Sequence, residues 1–339
     1  MKRYNNLFDK IASYENLDLA ERKARKGKGG MCGVRLFDKN REENLRKIHE
    51  MLVSGNYHTS KYTTFEVYDP KHRIIFRLPY NPDRIVHHAI MNVLEPIWVK
   101  QFTRDTYSCI KGRGVHGAYH AVRLALKDYE NTKYCLQIDV KKFYPSIDHD
   151  ILKTTIRRKI KDKRLLELLD EIIDSADGVP IGNYLSQFFA NLYLSSLDHY
   201  TKEVLRVKHY FRYADDMIVL SGSKSELVNI RKKIEAKLKE VKLAMKKNWH
   251  IFPVDSRGID FLGFVFYHRH IRLRKRIKRR MMRKVMRAHR NGKDKQEIHD
   301  IIASWWGWLK YTNSINLVKT IEKSLGYEIK FNRHADRIA

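Results

Sequence analysis

The chain has 339 residues, of which 43% are hydrophobic, enough for a sizeable core. It carries 68 Lys or Arg against 39 Asp or Glu, a formal charge of +29, which points to nucleic acid as partner, with an anionic membrane surface as the competing reading. No apolar run approaches the roughly 18 residues of a membrane span, no signal-peptide pattern opens the chain, and Cys32, Cys109 and Cys135 lack paired spacing, which excludes a structural zinc site and suits a reduced, cytoplasmic setting.

Leu7, Ile11 and Tyr14 predict a first helix. The run Arg22-Lys23-Ala24-Arg25-Lys26-Gly27-Lys28-Gly29-Gly30 reads as a phosphate-binding loop or a solvated linker. Leu45, Ile48 and Leu52 carry a second helix. Residues 63–68 and 73–78 predict a hairpin turned by Asp69-Pro70-Lys71-His72, followed by a helix near residues 84–94. The doublet His87-His88 in that helix reads as surface or packing histidines rather than a metal site.

Further on come a strand ending at Asp139, a helix from about His149, a long helix from about Ser186, an Asp-Asp hairpin, and a helix over residues 224–241. Strands and helices interleave without a regular βαβ repeat, so a mixed α+β sheet is expected. Residues 272–290 hold eleven Lys or Arg, with Ile277, Met281, Val285 and Ala288 as one apolar stripe. The basic remainder is a solvated face or a surface that holds phosphates. A second helix places Ile298, Ile302, Trp305, Leu309 and Thr312 on one side. Trp305-Trp306-Gly307-Trp308 reads as core, with base stacking by one indole as the alternative.

The candidate chemistry lies in Tyr213-Ala214-Asp215-Asp216, between the apolar stretches Tyr210-Phe211 and 217–220. Strand, acidic turn and strand predict a β-hairpin with two carboxylates at its tip. At about 5 Å and an effective dielectric near 20, such a pair costs roughly 3 kcal/mol unless a divalent cation sits between the charges. Alone, an Asp-Asp turn is more often plain solvated turn chemistry. Asp139 adds a third carboxylate: Leu136, Ile138 and Val140 alternate with Cys135, Gln137 and Asp139, and Pro145 stops the strand soon after. The competing role for Asp139 is a helix cap after Pro145. If the strands are neighbours, the carboxylates converge on Mg²⁺.

Asp139 with Tyr144 five residues on, then Tyr213-Ala214-Asp215-Asp216, resembles the palm of reverse transcriptases. Arg73-Ile74-Ile75-Phe76-Arg77-Leu78-Pro79 with Asp83-Arg84-Ile85-Val86 resembles the family's fingers block, and Lys111-Gly112-Arg113-Gly114-Val115-His116 its second block. Phe261-Leu262-Gly263-Phe264 resembles its primer grip, so the likeness spans about residues 7–314. Pro180-Ile181-Gly182-Asn183-Tyr184-Leu185-Ser186-Gln187 departs from the Gln-Gly…Ser-Pro form of group II intron and retron enzymes. It resembles instead the enzymes of diversity-generating retroelements, which copy a template-repeat RNA with errors at adenines for mutagenic retrohoming.

The resemblance implies an α+β, right-hand polymerase: an N-terminal extension and fingers over 1–132 with about 151–180, a palm over 133–268, and a helical thumb over 269–339. It leaves no room for an RNase H domain or a homing endonuclease. It implies an RNA-directed DNA polymerase that uses two Mg²⁺ ions, dNTPs, template RNA and an RNA/DNA primer–template duplex. It also implies a small basic accessory variability determinant oligomer as partner, and no membrane. Asp139 and Asp215 would hold both ions, with the Val140 carbonyl as a further ligand and Asp216 as a weaker or outer one. Tyr144 corresponds to the steric gate that rejects a 2′-hydroxyl. Arg73, with Arg77 as runner-up, would bind the triphosphate. Gly182 would let the backbone approach the nucleotide, Ile181 replaces a glutamine there, and Gln187 would touch the template. Lys247 or Lys246 would donate a proton to pyrophosphate, with His250 as a substitute. Arg276, Arg279, Arg280, Arg283 and Lys284 would hold the duplex backbone. Two other readings stand beside this one: a phage-defence or other bacterial reverse transcriptase, and a basic RNA-binding scaffold with a degenerate palm.

Overall fold

A computed structural model describes residues 3–68 and 72–329. In chain order the elements are α1 (Phe8–Ala12), α2 (Tyr14–Arg25), α3 (Cys32–Asp38), α4 (Arg41–Val53), β1 (Thr63–Val67), β2 (Arg73–Arg77), α5 (Ile85–Val99), α6 (Gly114–Ala125), β3 (Tyr134–Asp139), α7 (His149–Arg157), α8 (Lys163–Asp174) and α9 (Ser186–His199). There follow β4 (His209–Tyr213), β5 (Asp216–Ser221), α10 (Lys224–Glu240), β6 (His250–Pro253), α11 (Val254–Arg257), β7 (Ile259–Phe261), β8 (Phe264–Phe266), β9 (Ile271–Leu273), α12 (Lys275–Arg290), α13 (Lys295–Leu309) and α14 (Ile315–Leu325). The sheets run β1-β2, β4-β5-β3-β6 and β7-β8-β9, a mixed α+β arrangement as the interleaved pattern implied. No helix among the described residues is long and apolar enough to cross a membrane.

The chain divides into two compact units. The first comprises residues up to Ala118, Gln137–Val219 and Val228–Trp249; the second comprises Tyr119–Leu136, Leu220–Leu227 and the chain from His250 on.

In the first unit, α2 packs on α5, and Leu17, Ile85, Leu94 and Trp98 are wholly buried. The Trp98 ring lies 6.2 Å from Phe188 and 5.9 Å from Phe189 of α9, which fixes α5 against α9. Asp148 caps α7 and Asp162 caps α8 through their own N-terminal N–H groups. Asp162 Oδ2 also accepts the Leu7 and Phe8 N–H groups at 2.6 and 2.9 Å, tying α1 to α8. The cap after Pro145 is therefore Asp148, and Asp139 is released for another role.

Two local expectations change. The first helix ends at Ala12, because the Ser13 hydroxyl caps a new helix that begins at Tyr14. Of the basic run, Arg22 and Arg25 are not in a loop: they close α2 and pair with Asp18 and Glu21 one turn back. The β1–β2 hairpin forms in the register Thr63↔Arg77 to Val67↔Arg73, and Asp69, Pro70 and Lys71 of its turn lie outside the described residues.

In the second unit, α12, α13 and α14 enclose a core of Met281, Val285, Ile298, Ile302, Leu309 and Ile321. Met281, Val285 and Ala288 form the buried stripe on α12, and the chain between them carries the exposed basic residues. Trp305, Trp306 and Trp308 pack against this core half-buried. The third helix, α14, escaped the sequence reading although Leu317, Ile321 and Leu325 hold helical spacing.

Candidate active site

Strand β4 ends at Tyr213 and β5 begins at Asp216, so only Ala214 and Asp215 connect them, and so short a link reverses the chain into a hairpin. Ala214 takes a positive φ of 53°, which suits the first position of a tight hairpin turn. Asp215 thus occupies the turn itself, and Asp216 is the first residue of β5. β5 is the neighbour of β3, whose last residue is Asp139. This adjacency brings the two carboxylates together.

Their electrostatics follow from that approach. Burial, and then the charge of Asp139, push the Asp215 carboxyl above its usual range, while the Lys246 ammonium works in the other direction. Lys246 Nζ pairs with Asp139 Oδ2, and the Lys246 N–H donates to the Asp139 carbonyl at 2.8 Å. Lys246, not Lys247, thus brings its ammonium to the pair; Lys247 is exposed. Asp139 Oδ1 is buried and has no hydrogen-bond donor.

A buried acceptor oxygen without a donor, beside a second partly buried carboxylate, is a donor set that suits a hard divalent cation such as Mg²⁺. Among the described residues no group of three or more His, Cys, Asp or Glu is assembled at metal-holding distance. The carboxylates that the fold brings together at this point are Asp139 and Asp215. Val140 bridges to Met245, flanked by Lys141 N–H to Ala244 O and Lys246 N–H to Asp139 O, both 2.8 Å. In that pattern the bridging residue's own N–H and C=O turn to the opposite edge, which here is the β5 side.

Tyr144 lies in a short 3-10 turn after β3. Its hydroxyl is pushed above its usual range by burial first, with Cys109 and Asp215 adding and Arg212 and Arg73 opposing. Arg73 therefore acts electrostatically on the Tyr144 hydroxyl. Arg77, at the other end of β2, instead acts on Arg84, whose guanidinium is lowered by burial and then by that charge. The two arginines of β2, four residues apart, lie at its opposite ends on the same face of the strand.

The Pro180–Gln187 block is anchored to β2 and to its own helix. The Ile181 carbonyl accepts the Phe76 N–H at 2.8 Å. Gly182 has φ 127°, and a Cβ there would sit 2.2 Å from the Phe76 carbonyl oxygen, so no side chain fits. Asn183 Nδ2 donates to the Tyr62 hydroxyl at 2.8 Å, and Ser186 Oγ donates to the Pro180 carbonyl at 2.6 Å. Those side chains are engaged internally, whereas Ile181 is half-buried and Gln187 is exposed.

Beside the block is a cavity of about 230 Å³, lined among others by Lys28, Arg84, His88, Tyr184 and Gln187. Lys28, from the basic run, reaches it, and its ammonium is lowered by burial and by Arg84. The His88 ring stacks on Tyr184 at 4.3 Å, and His87 is wholly buried; burial holds its imidazole near a pKa of about 3. Both histidines are packing groups, as the sequence implied.

The hairpin rests on a buried polar network that sequence reading missed. Arg212 of β4 donates to Asp198 and to the Ala214 carbonyl, and Tyr210 and Thr106 hydroxyls also donate to Asp198. The available signal was an arginine inside an apolar strand next to the acidic turn. In the second unit, Phe261 and Phe264 are wholly buried and Leu262-Gly263 form the β7–β8 turn between them. Arg276, Arg279, Arg280, Arg283 and Lys284 all belong to α12, away from its buried stripe.

Comparison with known proteins agrees with this geometry. The family described as reverse transcriptase (RNA-dependent DNA polymerase) matches residues 69–266, more than half of the chain. Protein YkfC of Escherichia coli (strain K12) is 27% identical over 281 residues, covering 68% of this chain and 72% of that protein. The group II intron-encoded protein LtrA of Lactococcus lactis subsp. cremoris is 25% identical over 214 residues, 59% of this chain and 34% of LtrA. The retron Ec73 reverse transcriptase of Escherichia coli is 30% identical over 164 residues, 44% of this chain and 50% of that enzyme. The chain thus spans about a third of the intron protein and half of the retron enzyme. With its α+β fold, its paired Asp139 and Asp215 and this match, the chain belongs to the reverse transcriptase family of RNA-directed DNA polymerases.

Proposed function

We propose that this polymerase is the reverse transcriptase of a diversity-generating retroelement, copying a template-repeat RNA into adenine-mutagenised cDNA for mutagenic retrohoming. The observation that carries this reading is the Pro180–Gln187 block: isoleucine stands at 181, its carbonyl held by Phe76 and its side chain half-buried rather than packed away. In this reading fingers comprise 1–132 with about 151–180, palm 133–268 and thumb 269–339, and the setting is cytoplasmic. A small basic accessory variability determinant oligomer is the expected partner.

Asp139, Asp215 and the Val140 carbonyl would hold Mg²⁺, with Asp216 as an outer ligand; bound there, two ions supply a more acidic primer 3′-hydroxyl and charge stabilisation for departing pyrophosphate. The remaining roles belong to the chain's own groups. Tyr144, whose buried hydroxyl feels the charge of Asp215, closes the space under the sugar where a 2′-hydroxyl would sit. Arg73 offers a planar guanidinium to the triphosphate of the incoming dNTP. Gly182, whose missing side chain makes room for the Phe76 carbonyl, presents exposed backbone for the nucleotide to approach, and Gln187 meets the template. Lys246, already on Asp139, is better placed than Lys247 or His250 to deliver a proton to pyrophosphate. Arg276, Arg279, Arg280, Arg283 and Lys284 hold the phosphates of the RNA/DNA duplex.

Isoleucine at 181 gives apolar contact only. A hydrogen bond there is worth roughly 0.5–1.5 kcal/mol, and about 1.4 kcal/mol is tenfold in discrimination. Ile181→Gln is expected to keep polymerase activity and to lower misincorporation opposite template adenines by up to about tenfold. The measurement is sequencing of cDNA made by both proteins from one adenine-containing RNA, with the accessory protein supplied. A wild type that copies adenines accurately overturns the mutagenic reading and leaves a defence-type or other reverse transcriptase.

A further inference from the structure

A cavity that the polymerase reaction does not use is in the second unit. It has a volume of about 730 Å³, within the range of roughly 300–1,000 Å³ typical of ligand sites. Three segments wall it: the C-terminal part of α6, with Tyr119, His120 and Arg123; the β8–β9 turn, with Tyr267, Arg269 and His270; and the α13–α14 link, with Lys310 and Tyr311. Within the β7-β8-β9 sheet, this turn lies at the opposite end of β8 from Leu262-Gly263.

The walls are fixed in advance. Tyr119 Oη donates to the Tyr311 carbonyl at 2.6 Å, and its ring lies 4.9 Å from Phe264 and 5.4 Å from Phe266. Asn313 and Ile271 exchange hydrogen bonds of 2.8 and 2.9 Å, clipping the α13–α14 link to β9. His268 is held by Thr132 Oγ1 at 3.0 Å and by Asp255 at 3.0 Å. The Tyr267 N–H donates to the His270 carbonyl at 2.9 Å, closing the turn.

The lining chemistry is cationic and aromatic. Arg123, Arg269 and Lys310 contribute three permanent positive charges, and no Asp or Glu lines the cavity; Asp255, which acts on Arg269 and His268, stands outside the lining. The Tyr267 and His270 rings lie parallel at 4.4 Å, a platform that an added base extends. The Tyr311 ring is a second aromatic surface beside the Lys310 ammonium at 5.5 Å. Phosphates recognised by arginine and lysine, with bases recognised by ring stacking, are the two halves of single-strand recognition. A concave site of this size admits splayed nucleotides; a duplex, whose bases are stacked inward, offers it only phosphate.

We propose that this cavity is a second nucleic-acid site that captures a single-stranded segment of one or two nucleotides, with lining residues distinct from those assigned to synthesis. The probe is a ten-nucleotide single-stranded RNA carrying 5-bromouridine, crosslinked to the full chain by ultraviolet light and mapped by mass spectrometry. The expected result is crosslinking at Tyr267, His270 or Tyr311, competed by unlabelled single-stranded RNA and not by blunt RNA duplex. The charge-reversal set Arg123→Glu, Arg269→Glu and Lys310→Glu should lower that yield about tenfold, as removing the partners of two to three phosphates implies. Extension of a pre-annealed primer–template should be unchanged in the same variant. If charge reversal unfolds the protein, Arg123→Gln with Lys310→Gln serves instead, with a smaller decrease expected. Crosslinks confined to other residues, equal competition by duplex, or equal competition by polyglutamate would overturn the proposal, the last in favour of an acidic protein segment. The readout is binding, so a chain that proved inactive in synthesis yet crosslinked here would lose the polymerase reading and keep this site.

Discussion

The Arg212 guanidinium and the Asp198 carboxylate form a bidentate ion pair, Nε to Oδ1 at 2.7 Å and Nη2 to Oδ2 at 2.5 Å, with neither side chain exposed. A third donor, Arg212 Nη1, reaches the Ala214 carbonyl at 3.0 Å and Asn191 Oδ1 at 3.1 Å. The pair thus joins α9 to the turn that carries Asp215. Buried ions are costly to desolvate, and this one is acceptable because Tyr210 and Thr106 hydroxyls fill the remaining carboxylate positions.

Removing one partner leaves an uncompensated buried charge. Asp198→Asn or Arg212→Met should each destabilise the protein by about 3–5 kcal/mol. Asp198→Asn combined with Arg212→Met should cost less than the sum of the singles. Urea denaturation of the four proteins measures the coupling, and additive costs would show that the pair does not act as a unit.

Asp139→Ala and Asp215→Ala should each abolish Mg²⁺-dependent DNA synthesis while leaving RNA binding nearly intact. Stability should move the other way for the isosteric change. The Asp215 carboxyl is raised in the folded chain, so its ionisation opposes folding as pH climbs past its unfolded value, and that cost persists at neutral pH. Asp215→Asn should therefore raise the melting temperature at pH 7 without divalent cation, and have little effect near pH 3. Mg²⁺ should stabilise the wild type more than this variant. Robust primer extension by either alanine variant would refute the assignment.

His87 gives a pH dependence of opposite sign. Its imidazole is buried and neutral, held near a pKa of about 3 in the fold against 6.5 when unfolded. Between those values the unfolded chain binds the extra proton, so stability falls as pH drops below about 6.5, at up to about 1.4 kcal/mol per pH unit from this residue. His87→Leu should flatten the pH 4–6.5 limb of the stability curve. The check is denaturation across that range, and an unchanged slope would place the acid sensitivity elsewhere.

The basic face of α12 predicts a salt effect. Neutralising Arg279, Arg280 and Arg283 together should weaken template–primer binding and reduce the slope of log K against log salt by about 0.7–0.9 for each phosphate left without its cationic partner. Titrations at several salt concentrations measure it. If the slope holds in a folded variant, this face is solvated surface only.

Local pattern was enough for the elements that carry the chemistry. The period of two in residues 135–140 placed Asp139 at a strand end, and the acidic step between two apolar runs placed Asp215 in a hairpin turn, because strand alternation and turn chemistry are properties of neighbouring residues. The apolar stripe of α12 and the starts of α7 and α9 were legible for the same reason. Three-dimensional packing decided the rest. That β3 lies beside β5, and so that Asp139 meets Asp215, depends on strand pairing between segments more than 70 residues apart, which no local period encodes. That Lys246 and not Lys247 pairs with Asp139 rests on how the distant segment after α10 returns to the end of β3. The burial of Arg212 with Asp198, and the cavity walled by Tyr119, Tyr267 and Tyr311, exist only when distant segments close on one another. Long-range desolvation and charge pairing set those features, and both belong to the folded chain rather than to any stretch of its sequence.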